Sequence, residues 1–162
     1  MTTYFIDSSG VVKRYAEEIG SKWIEALCDV QSGNTIAIAQ IGIVEVAAAL
    51  ASKRRDNSIS EEEYEGAMRD FIRDAQQQYQ VVATGQEVID LAVELTRRQT
   101  LRGYDAVQLA SAIILNRALL VRELPALIFV SADDDLLAAA RNEGLAVENP
   151  NWHPEHEEAD CG

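Results

Sequence analysis

Along the chain, short runs rich in β-branched and aromatic residues alternate with longer stretches in which apolar residues recur every third or fourth position. That change of period predicts βαβ units stacked around a parallel sheet. The first strand falls on residues 3–6. Ser8 or Ser9 can cap a helix to about residue 19, and Gly20-Ser21 breaks it before a second amphipathic piece over 22–30. After the turn Ser32-Gly33-Asn34 comes a second strand, 35–39, and then an alanine-rich helix from 40 to about 55 that ends in Lys53-Arg54-Arg55. Ser60 with Glu63 forms a capping box for a helix to about residue 79, whose Tyr64, Met68, Phe71 and Ala75 share one face, either core or interface.

The second half repeats the alternation. A third strand is predicted over 80–83, a helix over 86–98, and a largely apolar, central helix from 104 to about 119. A fourth strand covers 127–131, a helix closed by Gly144 covers 133–143, and a fifth strand covers 145–148. Asn149-Pro150 then ends the folded unit, giving one domain over 1–150 and an acidic, mobile tail over 151–162.

Composition narrows the function classes. A chain of 162 residues, 48% hydrophobic and 25% charged, suits a single domain, and no apolar run approaches the roughly 20 residues that cross a bilayer. Cys28 and Cys161 are too far apart in the sequence to suggest a disulfide framework or a zinc site, which implies a reducing, cytoplasmic setting. The net charge of −13 argues at first against a polyanionic partner. Much of it, however, is concentrated in the tail and in Glu61, Glu62, Glu63 and Glu65, so the composition is compatible with nucleic acid.

Four acids draw attention. Asp7 follows the first strand and Asp133 the fourth, and each also reads as a helix N-cap. Asp105 opens the central helix, where the helix dipole favours an acid. Glu45 interrupts the apolar run IGIVEVAAALA, where an ionised carboxylate needs either a buried arginine or some other compensation. In a parallel α/β sheet, the carboxyl ends of the strands at the switch point form the ligand crevice. Four carboxylates meeting there would repel one another unless a hard cation balanced them; with no Cys or His among them, the donor set suits Mg²⁺ or Mn²⁺.

YFIDSSGVVKRY, the glutamate of VEVAAAL, LRGYDAVQLASA and FVSADDDLLAAARNEGLAVENP, in that order, resemble the PIN-domain ribonucleases, and within them the VapC-like toxins of type II toxin–antitoxin pairs. The resemblance implies a three-layer α/β/α fold around a mostly parallel five-stranded sheet and a Mg²⁺- or Mn²⁺-dependent endoribonuclease. It also implies an RNA substrate, a cognate antitoxin and a homodimer. Carried across by position, the four acids are Asp7, Glu45, Asp105 and Asp133, serving as metal ligands directly or through water. Ser8, Ser131 and Asp135 support them, and the run Asp133-Asp134-Asp135 leaves the fourth acid open. Gly10 and Gln108 stand where the family often has Ala and His. Lys13, Arg14 and Arg102 are the leading candidates for RNA phosphates, with Lys53, Arg54, Arg55, Arg97 and Arg98 behind them. Two other functions compete: a haloacid-dehalogenase-like phosphatase using Asp7 as nucleophile, and a non-catalytic PIN-like scaffold that binds RNA or protein. A metal clip from His153 and His156 is a minor alternative.

Overall fold

The computed structural model describes residues 1–155. Five strands, β1 (Thr3–Ile6), β2 (Thr35–Ala39), β3 (Gln80–Val82), β4 (Ile128–Val130) and β5 (Ala146–Glu148), form one sheet in the order β3-β2-β1-β4-β5. Every neighbouring pair is parallel, with Tyr4 level with Ile36 on one side and Ile128 on the other. The chain builds outward from β1 to β3, crosses back, and adds β4 and β5 on the far side. Strand order therefore reverses between β1 and β4, which opens a crevice at their carboxyl ends.

Seven helices cover the sheet: α1 (Ser8–Tyr15), α2 (Ser21–Cys28), α3 (Gln40–Arg55), α4 (Glu61–Gln77), α5 (Gln86–Arg98), α6 (Gly103–Val121) and α7 (Asp134–Asn142). Because successive strand residues point to opposite faces, β1 sends Phe5 into one core and Ile6 into the other, and β4 divides Phe129 and Val130 in the same way. Phe5 stacks on Phe129, ring centroids 5.8 Å apart, beneath α5, α6 and α7. On the opposite face Ile6, Val11, Ile24, Ile38, Leu50 and Phe71 pack the first four helices. The result is the expected three-layer α/β/α arrangement, with the sheet parallel throughout.

The apolar helix α6 has a structural explanation. By length and composition it would pass for a membrane span, the single such helix among the described residues, although no unbroken apolar run suggested one. Its apolar side chains instead serve the interior: Ala106, Leu109, Ala110 and Ile113 are buried against β2, α3, α5 and α7.

Local departures from the predicted elements have identifiable causes. The capping box at Ser60 and Glu63 forms with both of its hydrogen bonds. The first helix stops at Tyr15, short of residue 19, because Ala16 is extended and the turn is held by Gly20. Gly20 has φ +86°, and a Cβ there would lie 2.3 Å from the Pro150 carbonyl oxygen, so only glycine permits this approach. The same packing carries order past residue 150. Pro150–Trp152 forms a short 3₁₀ turn, and the His153 ring stacks on Trp23 at 4.2 Å while its Nε2 meets Glu148 Oε2 at 2.8 Å. The boundary expected at 150 thus falls within packed chain. His153 is engaged by an aromatic ring and a carboxylate, while His156 and the rest of the expected tail lie outside the described residues.

Candidate active site

Each of the four acids is placed by a different element at the β1/β4 crevice. Asp7 leaves β1 and caps α1: its Oδ1 accepts from Gly10 N at 3.0 Å and Ser9 Oγ at 2.7 Å, and its Oδ2 accepts from Ser131 Oγ at 2.6 Å. It is 3% exposed. Burial pushes its carboxyl up from 3.8 to about 6; the Ser131, Ser9 and Gly10 hydrogen bonds pull the other way, and the charge of Asp105 adds to the rise. Asp133 leaves β4 and caps α7 through Oδ1, which accepts from the Asp135 and Leu136 amides. The N-cap readings of Asp7 and Asp133 were therefore correct, and each residue combines the capping role with a place at the crevice.

Asp105, in the first turn of α6, is half-buried, and its carboxyl is raised by burial and then by the negative charges of Asp133 and Glu45, with Arg102 opposing. Glu45 projects from α3. The compensation its apolar surroundings demanded comes from neutral donors, not from a buried arginine: Gln108 Nε2 donates to Oε1 at 2.8 Å and Ser8 Oγ to Oε2 at 3.2 Å. Gly42 leaves room for this contact, since a Cβ there would stand 3.2 Å from Gln108 Nε2.

Within the Asp133-Asp134-Asp135 run, Asp133 is the carboxylate that acts on Asp105. Asp134 turns to Asn149, accepting from its Nδ2 at 3.0 Å, and Asp135 lies at the rim. Thr100, Leu101, Arg102, Asp105, Asp133, Asp135 and Leu136 line a cavity of about 390 Å³. Ser131 is a junction: besides holding Asp7, its Oγ accepts from Asp133 N at 3.0 Å and so ties the first acid to the fourth. Ser9, which sequence reasoning passed over, does the same from the other side by donating to Asp7 while accepting from Ala132 N at 3.0 Å. The signal available for it was an Asp-x-Ser spacing at a strand-to-helix junction.

The expected phosphate-binding residues divide. Arg102 lines the acidic cavity. Lys13 and Arg14 do not: they lie in the last turn of α1, at the opposite end from Asp7. Lys13 is 5% exposed with Nζ on Glu18, which also binds Lys53. Arg14 donates to Gln78 and to the Tyr79 hydroxyl and pairs with Asp74. Sequence proximity to Asp7 misled because six residues of helix carry a side chain roughly 9 Å along the axis. Arg54 pairs with Glu61, Arg97 with Glu94 and Arg98 with Glu143.

The donor set fits a hard divalent cation in kind, being all oxygen and otherwise uncompensated. Asp7 Oδ2 retains a lone-pair site beyond its bond to Ser131. Among the described residues no three Asp, Glu, His or Cys side chains stand close enough to grip an ion directly, so the arrangement suits an ion that keeps part of its water shell.

A parallel α/β sheet with an acidic crevice at its switch point defines a PIN-type protein. The chain belongs to the VapC ribonuclease family. It is 36% identical over 116 residues to ribonuclease VapC45 of Mycobacterium tuberculosis (strain CDC 1551 / Oshkosh), which covers 70% of this chain and 76% of that protein. The same figures hold for ribonuclease VapC49 of M. tuberculosis (strain ATCC 25618 / H37Rv). No family model matches the chain. Among solved structures, the fold is shared with FitAcB from Neisseria gonorrhoeae (TM-score 0.64, 13% identity, 93% of this chain and 99% of that one). It is also shared with VapBC2 from Rickettsia felis bound to a DNA fragment from its promoter (TM-score 0.61, 15% identity, 91% and 98%).

Proposed function

We propose that this chain is a metal-dependent endoribonuclease, the toxin of a toxin–antitoxin pair, with Asp7, Glu45, Asp105 and Asp133 as its catalytic acids. One observation carries the reading: carboxylates from four separate elements share a crevice, and Asp7 and Asp105 are held above the usual carboxylate range by burial and by one another's charge. Such an arrangement costs stability unless a ligand repays it, which marks a functional site. The relatives named as VapC ribonucleases support the activity, and the VapBC and FitAB complexes of the same fold support a protein antitoxin.

Asp7 and Asp105 would hold Mg²⁺ or Mn²⁺, with Glu45 and Asp133 acting through its water. The bound ion would supply the charge that keeps all four acids ionised and would activate water near neutral pH. Ser9 and Ser131 fix the plane of the Asp7 carboxylate, and Gln108 and Ser8 fix that of Glu45. Arg102 offers a phosphate contact at the cavity wall. The phosphatase alternative is disfavoured because Ser9 occupies the place of its second Asp and hydrogen-bonds Asp7, while burial leaves Asp7 a poor nucleophile.

Purified protein incubated with mixed RNA tests this in three arms: with Mn²⁺, with EDTA, and with Mn²⁺ and Asp7→Asn. Cleavage is expected in the first arm alone. Equal cutting in all three would reveal a contaminating nuclease, and none in any would refute the assignment.

A further inference from the structure

We infer that Tyr104 and the apolar groove beside it form a stacking site for an unpaired base of the RNA strand, so that the preferred substrate is single-stranded RNA held chiefly by base stacking. This rests on the nuclease reading above and names the substrate class of that site. Tyr104 is 63% exposed although it directly precedes the buried start of α6 and the acid Asp105. With Ile41, Val44 and Ala48 of α3 it lines a groove of about 340 Å³, and the remaining lining residue is Glu45. Val44, 69% exposed, forms the facing wall. The groove is thus continuous with the acidic crevice through a shared catalytic acid, and on the crevice's other wall stands Arg102. A strand crossing the acids would lay one base against Tyr104 and direct a phosphate toward Arg102.

Charge explains why stacking must dominate. The crevice is acidic, the chain carries a net charge of −13, and Lys13, Lys53, Arg14, Arg54, Arg97 and Arg98 are engaged in ion pairs with the protein's own carboxylates. Electrostatic capture of a phosphate backbone is weak here, whereas every base has a π-face that an exposed tyrosine can accept without sequence preference. A base inside a duplex has no free face, so the groove selects unpaired RNA.

The test measures cleavage and binding separately. In Mn²⁺, Tyr104→Ala should raise KM for a short single-stranded RNA about tenfold with kcat changed less than twofold, and Tyr104→Phe should restore KM. In an Asp7→Asn background, which binds without cutting, fluorescence anisotropy of the same labelled RNA should show the same tenfold loss for Tyr104→Ala. Duplex RNA should bind much more weakly than the single strand, and the slope of log K against log[salt] should be about −1 or shallower. Val44→Ser, on the facing wall, should also weaken binding, which guards against a folding defect peculiar to one variant. If the native chain cuts RNA and both Tyr104→Ala and Val44→Ser leave KM and anisotropy unchanged, the stacking site is refuted while the nuclease stands. A steep salt slope with no effect at Tyr104 would show that phosphate contacts carry the affinity, and would overturn it equally. Conversion of a dimer to a monomer by Tyr104→Ala, with RNA affinity per protomer unchanged, would reassign the groove to a contact between copies. Tyr104-dependent binding without any cleavage would sustain the site and refute the nuclease.

Discussion

Replacing Asp7 with asparagine should make the protein more stable at neutral pH while abolishing its activity. Asn keeps the shape and can still accept from Gly10 N and Ser9 Oγ through Oδ1, and its amide nitrogen can donate to Ser131 Oγ where Oδ2 now accepts. What it removes is a buried charge. With the carboxyl moved from 3.8 to about 6, ionising Asp7 in the folded chain costs about 3 kcal/mol more than ionising it in the unfolded chain. The sign follows from proton counting. Between about pH 4 and 6 the folded state holds the Asp7 proton more tightly, so raising the pH through that window destabilises the native protein, and above it the full cost is present. The asparagine variant lacks this cost. Thermal unfolding in EDTA should therefore show little difference near pH 4 and a gain of roughly 6 to 12 °C for Asp7→Asn at pH 7. Added Mn²⁺ should raise the melting temperature of the native chain at pH 7 and narrow the gap. A variant no more stable than the native chain at pH 7, or a difference equal at both pH values, would refute the reasoning, because either result means that Asp7 is not ionised against its surroundings.

Other substitutions probe the supports of the site. Ser131→Ala leaves Asp7 Oδ2 and the Asp133 amide without their shared partner and should cost about 1–3 kcal/mol in urea unfolding, with a marked fall in cleavage rate. Gln108→Leu should be nearly neutral for stability but slow cleavage: the lost bond to Glu45 is offset by removing the buried, unpartnered Oε1, two effects of about 2 kcal/mol each. Arg14→Leu breaks contacts to Gln78, Tyr79 and Asp74 and should destabilise by about 2 kcal/mol while leaving RNA affinity unchanged; a weakened affinity in anisotropy would return Arg14 to the substrate path.

The order of elements was legible in the linear pattern because it depends on local chemistry. Alternation of β-branched and polar residues, the Ser60–Glu63 capping box, and Gly144, which takes φ +89°, each act within a few residues. The acids Asp7 and Asp133 were readable for the same reason, standing where strand gives way to helix. Glu45 was readable as an anomaly in an apolar run, but not its partner, since Gln108 lies 63 residues away and reaches it only when α3 and α6 pack. Electrostatic roles were the least legible. Lys13, Arg14 and Arg102 look alike as a list of cations, yet helix direction turns the first two toward Glu18 and Asp74 and leaves the third beside the acids. Local propensity thus specifies the strands and helices, whereas the convergence of the charges depends on the reversal of strand order at β1 and β4, a property of how distant segments meet that no short stretch of the chain encodes.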